Sequence, residues 1–252
     1  MTTLLIDIGN SYLKWGLDDG LGFAFGGSCR SDIAALEIMF EQSLTEINPD
    51  HVFLSCVSNH SIKEALIKEV RNRWQQEAAL LVASARACGI NNAYTIPENL
   101  GSDRWAAMIA GFQITKGPVC VVSCGTAVTL DAVNADGEHL GGLIVPGFRL
   151  MSDCLRQGTN MSFANNFKST AQVSLGQSTE NCIWQGTSLS IGSMVNEMFE
   201  SLRSRFSEMR LILTGGDAEI LIELLHFESS IESHLVLRGM SIIHRTKAGN
   251  EP

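Results

Sequence analysis

The chain has 252 residues, 27 acidic against 18 basic side chains, a formal net charge of −9 and a hydrophobic content of 45%. That length holds one large domain or two ordinary ones with cores of their own. The acidic balance argues against a nucleic-acid partner, which needs clustered Lys and Arg, but not against an anionic ligand, because backbone N–H groups alone can bind phosphate. The 7 cysteines are odd in number and scattered, so a reducing compartment is expected. Cys120 and Cys124 lie in an apolar run without a ligand set for zinc and read as small buried hydrophobes. Neither a basic-plus-apolar leader nor a membrane-length apolar run occurs, so a cytoplasmic protein with no membrane partner is expected.

In chain order, "TLLIDIGN" and "YLKWGL" predict two strands around a tight turn, with "LGFAFGG" as a third. Ser31 and Asp32 open a helical pattern with Ile33, Leu36, Phe40, Leu44 and Ile47 on one face. "HVFLSCV" reads as a buried strand, "SIKEALIKEVRNRW" as an amphipathic helix and "ALLVA" as a short strand. An irregular stretch, "SARACGINNAYTIPENLGS", leads into a helix from "DRWAAMIAGF". The second half restarts with strands in "PVCVVSCG", "AVTLDAVN" and "GEHLGGLIVPG". A helix around "FRLMSDCLRQ" precedes an irregular segment, "SFANNFKSTAQVSLGQ", and a long helix from about Thr179 to Ser204. Strand "RLILTGG", helix "DAEILIELLHF" and strand "HLVLRG" follow. The pattern is α/β, with a junction near Thr115–Pro118 dividing residues 1–115 from 116–252.

"LLIDIGNSYLKWGL" and "CVVSCGTAVTLDAV" align as an internal repeat, with Gly9 over Gly125, Asn10 over Thr126 and Ser11 over Ala127. Glycine turns of this kind expose consecutive backbone N–H groups that cradle phosphate oxygens. Asn10, Ser11 and Thr126 add side-chain donors, and Lys14 adds a charge. Asp7 is an aspartate inside an apolar strand. It either caps its own turn or faces a cation, such as hydrated Mg²⁺ on those phosphates. A third glycine turn, Thr214–Gly216, is a candidate for the nucleoside side of a ligand or an ordinary strand-to-helix turn. P-loop, G-x-G-x-x-G, H-E-x-x-H and G-x-S-x-G motifs are absent.

Asp103 and Arg104 stand where the irregular stretch enters a helix, behind Gly101 and Ser102. An aspartate there can take a proton from a substrate hydroxyl, and the arginine can hold an anion. The alternative is a plain helix start, with Ser102 as N-cap and Asp103 favouring the helix dipole.

Together these segments resemble the type III pantothenate kinases, whose close relatives include the Bvg accessory factor proteins. "DIGNSYLKW" is similar to the family's first phosphate motif, "NAYTIPENLGSDRW" to its pantothenate segment and "GTAVTLD" to its second phosphate motif. "GGLIVPG" and "GQSTENCIWQG" resemble its later signatures. The resemblance implies a duplicated, two-lobed acetate/sugar kinase–Hsp70–actin-like (ribonuclease H-like) fold. It also implies phosphorylation of pantothenate by ATP with Mg²⁺, the first step of coenzyme A synthesis. Carried over by position, it makes Asp103 the proton acceptor and places pantothenate on Tyr94, Gly101, Ser102, Asp103 and Arg104. Thr179 would contact substrate from the second subunit of a homodimer. ATP would lie on Asp7, Ile8, Gly9, Asn10, Ser11, Tyr12, Leu13, Lys14, Gly125 and Thr126, with Asp7 reaching Mg²⁺ through water.

Two positions depart from the family. Ser11 replaces the usual Thr and keeps its hydroxyl. Ser123 stands where many members have an Asp that helps hold potassium or ammonium, and a neutral serine binds such an ion weakly. Two other functions remain compatible with the sequence: a regulator of the Bvg accessory factor type, and a kinase for another small hydroxyl compound.

Overall fold

A computed structural model describes residues 1–57, 60–159, 173–247 and 249. The chain divides into two compact units, one comprising Met1–Ala110 and the chain from His234 onward, the other Gly111–Ser233.

The first unit begins with strands β1 (Thr3–Ile8), β2 (Tyr12–Asp18) and β3 (Phe23–Arg30). Helix α1 (Ile33–Ile38), capped by the Asp32 carboxylate on the Ala35 amide, runs directly into a π-helical turn at Met39–Ser43. Strand β4 (His51–Cys56), helix α2 (His60–Trp74) and strand β5 (Ala79–Leu80) follow. The expected irregular stretch contains a small hairpin, β6 (Arg86–Ala87) and β7 (Ile90–Asn91), and a 3-10 turn at Pro97–Asn99. Helix α3 (Ser102–Thr115) starts in this unit. The sheet order is β3-β2-β1-β4-β5, with β1–β2 and β2–β3 antiparallel and β1–β4 and β4–β5 parallel.

The second unit repeats that plan. Strands β8 (Val119–Cys124), β9 (Ala127–Val133) and β10 (His139–Pro146) precede helices α4 (Phe148–Gly158) and α5 (Thr179–Arg205). Strand β11 (Arg210–Thr214), helix α6 (Ala218–Ile222) and strand β12 (Ser229–Ile231) complete it. Its order is β10-β9-β8-β11-β12, with the same pattern of antiparallel and parallel neighbours. The repeat expected from the glycine turns is thus a repeat of whole sheets. One detail differs. Gly9 to Ser11 link β1 to β2, but only Gly125 and Thr126 link β8 to β9, so Ala127 already belongs to a strand.

The expected strand "HLVLRG" is instead the start of helix α7 (Leu235–Lys247). A short apolar run carries no unambiguous period. In fact Gly239 sits mid-helix, because a Cβ there would collide with the backbone of Ala106. Helix α7 packs on β1, β2 and β4, so the chain end returns to the first unit, whereas the sequence placed everything after residue 115 in the second lobe. Arg245 makes a two-pronged ion pair with buried Asp18, which also accepts from the Ser241 hydroxyl. Most of the irregular segment expected over 162–177 lies outside the described residues; from Val173 to Gln177 it has no regular structure.

Strand alternation decides what each sheet face does. In the first unit Leu4, Ile6, Ile8, Leu13, Trp15, Val52 and Leu54 join the core formed with α1 and α2. The opposite face carries Thr3, Asp7, Lys14, Asp18 and Ser55, and Thr3 and Asp18 are held there by His244 and Arg245 of α7. In the second unit Cys120, Cys124, Val128 and Leu130 lie in the core with Trp184, Ile191 and Phe199 of α5. Burial pushes the Cys124 thiol up to about 12, in keeping with the apolar role read for it.

Candidate active site

Three strands of the first unit place polar residues at one level of the sheet. Asp7 on β1 is paired in register with Lys14 on β2 and with Ser55 on β4. This row stands at the carboxyl ends of two parallel strands, where open α/β sheets bind ligands. The turn that follows Asp7 is closed by the Gly9 amide donating to the Tyr12 carbonyl at 3.0 Å. A Cβ on Gly9 would lie 2.9 Å from that same oxygen, so the turn requires glycine. Asn10, Ser11 and Tyr12 are exposed at its tip. Ile8 and Leu13 are fully buried, so only their backbone can meet a nucleotide.

Helix α3 brings its first turn to this row. The Ser102 hydroxyl lies 3.0 Å from that of Ser55, and both residues are buried. That contact accounts for Ser102 by something other than a plain N-cap. Asp103 accepts from the Arg104 amide at 2.8 Å. A Cβ on Gly101 would stand 2.6 Å from Asp103 Oδ1, so the glycine leaves room for the carboxylate. Arg104 is buried, donates to the Tyr94 hydroxyl at 2.9 Å and lies over its ring. Tyr94, Gly101, Ser102, Asp103 and Arg104 therefore come together as a cluster around one helix start.

Asp7 is the electrostatic anomaly of the unit. Its Oδ1 is buried and has no hydrogen-bond partner among the described residues. Burial and the nearby Asp103 carboxylate raise its pKa to about 7, against a hydrogen bond from Ser55 and the charge of Lys14. An enclosed carboxylate oxygen beside a second carboxylate suits a hard, hydrated cation. The donor set fits Mg²⁺ carried in by a polyphosphate.

The corresponding row in the second unit is neutral. Ser123 on β8 pairs in register with Thr129 on β9 and Thr214 on β11. Asp131 is two places further along β9, buried with His139 at 3.2 Å. Its carboxylate is engaged there, and the neutral row does not fit a cation site that needs an anionic oxygen. The Gly125 amide donates to the Ala127 carbonyl at 3.0 Å, leaving Thr126 exposed at the tip. Two other glycine turns crowd this bend. The Gly147 amide donates to the Thr126 carbonyl at 2.9 Å, and a Cβ on Gly147 would strike Gly125. Gly215 has a φ of +98°, and a Cβ there would strike Cys124. The Asp217 amide donates to the Cys124 carbonyl at 3.1 Å. Burial raises the Asp217 carboxyl, with Arg149 opposing. Thr179 is exposed in the first turn of α5, just after the Ser178 cap.

Ser55, Gly147, Arg149 and Asp217 were missed from sequence. A hydroxyl inside the apolar strand "HVFLSCV" is the same kind of oddity as Asp7, and pairing the two strands in register would have exposed Ser55.

The chain matches the type III pantothenate kinase family over residues 3–201. It is 32% identical over 246 residues to the type III pantothenate kinase of Nitrosococcus oceani, covering 94% of this chain and 92% of that one. It is 34% identical over 252 residues to that of Nitrosomonas eutropha, covering 98% and 95%. Among solved structures it resembles a conserved protein from Campylobacter jejuni described as a Baf family transcriptional activator. The TM-score is 0.61 at 24% identity, with 98% and 99% of the two chains covered. It also resembles the activator of 2-hydroxyisocaproyl-CoA dehydratase from Clostridium difficile with bound ADPNP, at a TM-score of 0.54, 12% identity and coverage of 99% and 96%. These structural likenesses establish the duplicated ribonuclease H-like fold. With the match over most of its length and relatives at this identity, the chain belongs to the type III pantothenate kinase family.

Proposed function

We propose that the protein transfers the γ-phosphoryl group of ATP to the terminal hydroxyl of pantothenate, giving 4'-phosphopantothenate. The observation that carries this is the nearness of the half-buried Asp7, with its enclosed Oδ1, to Asp103 at the head of α3, beside the Arg104–Tyr94 contact. Phosphoryl transfer asks a protein mainly to position groups and balance charge. Asp103 accepts the hydroxyl proton as the oxygen attacks. Arg104, kept in place by Tyr94, offers its guanidinium to the substrate carboxylate. The Gly9–Ser11 turn presents backbone and side-chain donors to phosphate oxygens, and Lys14 adds a positive charge next to Asp7. The turn at Gly125 and Thr126 offers donors of the same kind to phosphate oxygens. When bound, Mg²⁺ neutralises phosphate charge, and Asp7 would hold it through water.

A homodimer with Thr179 of one subunit reaching the substrate of the other is part of the proposal. In its support, Leu155 and Leu189 are exposed, and an apolar cavity of about 590 Å³ between α4 and α5 is lined by Met151, Leu155 and Ile183. The neutral row at Ser123 leaves potassium or ammonium activation weak. A cytoplasmic location agrees with the absence, among the described residues, of any helix long and apolar enough to cross a membrane.

The test is ADP release with Mg²⁺·ATP and pantothenate, in potassium, ammonium and sodium at fixed ionic strength. Turnover in all three salts, lost by about 10²–10⁴-fold in Asp103→Asn, is the expected result. A wild-type protein inert toward pantothenate in every salt overturns the proposal.

A further inference from the structure

We propose that Val57 is a specificity-determining residue whose methyl groups pack against the geminal dimethyl group of pantothenate and so seat the terminal hydroxyl on Asp103. The inference rests on the pantothenate kinase reading and goes further, to the apolar part of the substrate, which the polar residues of the site do not recognise.

Strand geometry places the side chain. In β4, Leu54 and Cys56 pack on the core of the first unit, while Ser55 stands on the opposite face across from Asp7. Alternation carries Val57, the first residue past the strand, to that same face. It thus borders the crevice outside the carboxyl ends of β1 and β4, where open α/β sheets take their ligands. There it is a large aliphatic side chain left 40% exposed.

One point in space ties Val57 to the reacting groups. The Cβ position of Gly101 lies 2.6 Å from Asp103 Oδ1, 3.6 Å from Val57 Cγ1 and 3.8 Å from Arg104 Cδ. A carboxylate oxygen, a valine methyl and the stem of the arginine therefore converge on one glycine. All four residues belong to the first unit.

Pantothenate carries its groups in a matching order. Its terminal hydroxyl sits on a methylene joined directly to the quaternary carbon that bears two methyl groups. A hydroxyl presented to Asp103 brings those methyls to the same spot, where leaving water is favourable only against an apolar surface. Val57 supplies that surface. Asp103 and Arg104 hold the hydroxyl and carboxylate ends, and both are indifferent to the methyls between. Without Val57 the site would take an equally long dihydroxy acid amide lacking them nearly as well.

The experiment compares pantothenate with its analogue in which both methyls of the quaternary carbon are hydrogens. ADP release with Mg²⁺·ATP is measured on wild type and Val57→Ala, with circular dichroism to establish that the variant is folded. Wild type should favour pantothenate by about 10-fold or more in kcat/KM. Val57→Ala removes two methyl groups and should lower kcat/KM for pantothenate about 5–20-fold, mainly through KM. It should cost little with the analogue, so the preference shrinks to about 2-fold. Where turnover of the analogue is slow, its inhibition constant against pantothenate gives the same ratio. A preference that survives Val57→Ala, whether both substrates suffer equally or neither does, would overturn the inference. So would a wild type that does not favour pantothenate over the analogue. If the wild type turns over neither compound, the kinase reading fails first and takes this inference with it.

Discussion

Asp7→Asn tests the electrostatics of the site directly, and it separates stability from activity. In the native chain Asp7 holds its proton up to about pH 7, whereas in the unfolded chain it ionises near the ordinary carboxylate value of about 3.9. Between these values the native state binds the extra proton, so stability falls as pH rises. The contribution is absent below about pH 4 and levels off above about pH 7. Linkage over that interval makes the wild type lose about 2.5 kcal/mol between pH 5 and pH 8 through this one group. Asparagine cannot ionise, so the variant lacks that component, although its amide leaves a buried donor that costs about 1–3 kcal/mol at every pH. The assay is urea unfolding in chelator at pH 5 and pH 8, followed by tryptophan fluorescence. Three of the four tryptophans, Trp15, Trp74 and Trp105, belong to the first unit and Trp184 to the second, so the signal is weighted toward the unit that carries Asp7. The wild-type free energy should drop more steeply with pH than that of Asp7→Asn, while the variant loses turnover with Mg²⁺·ATP. Parallel pH dependences in the two proteins would refute the account of Asp7 as a carboxylate with an enclosed oxygen awaiting a cation.

Two substitutions probe the supporting structure. Gly101→Ala puts a methyl group 2.6 Å from Asp103 Oδ1, which displaces the carboxylate, so kcat should fall about a hundredfold with little change in melting temperature; unchanged kcat would show that the glycine does not govern Asp103. Arg245→Ala strands the Asp18 carboxylate in a nearly closed site and should cost about 3–5 kcal/mol. Chemical unfolding would read it, and a loss below about 1 kcal/mol would mean that water or a neighbour takes the arginine's place.

The sheets were legible because strand patterns and glycine turns are local. "LLIDIGNSYLKWGL" and "CVVSCGTAVTLDAV" announce their hairpins within a dozen residues, and the structure extends that likeness to two five-stranded sheets of identical order. Asp7 and Asp103 were legible as chemical oddities, a carboxylate in a strand and an Asp-Arg pair at a helix entrance. What the sequence hid were relations across the chain. Ser55 acquires meaning only when β4 lies parallel to β1 and faces Ser102. Gly239 acquires meaning only when Ala106 is seen against it, where it allows the close approach of two helices. The turn at Met39–Ser43 kept the right buried residues, Leu36, Phe40 and Leu44, while departing from the α-helix that their spacing predicts. Burial pattern survives a local change of helix type, and hydrogen-bond pattern does not.

The ion pair between Asp18 and Arg245 spans 227 positions of sequence, and it orders events on the ribosome. The earliest strands to leave the exit tunnel cannot finish burying their polar face until helix α7 has followed them. The later-made unit has all its strands first. A nascent chain thus carries Asp18 without its counterion until helix α7 is made, and damage to that helix would be felt in strands encoded more than two hundred codons earlier.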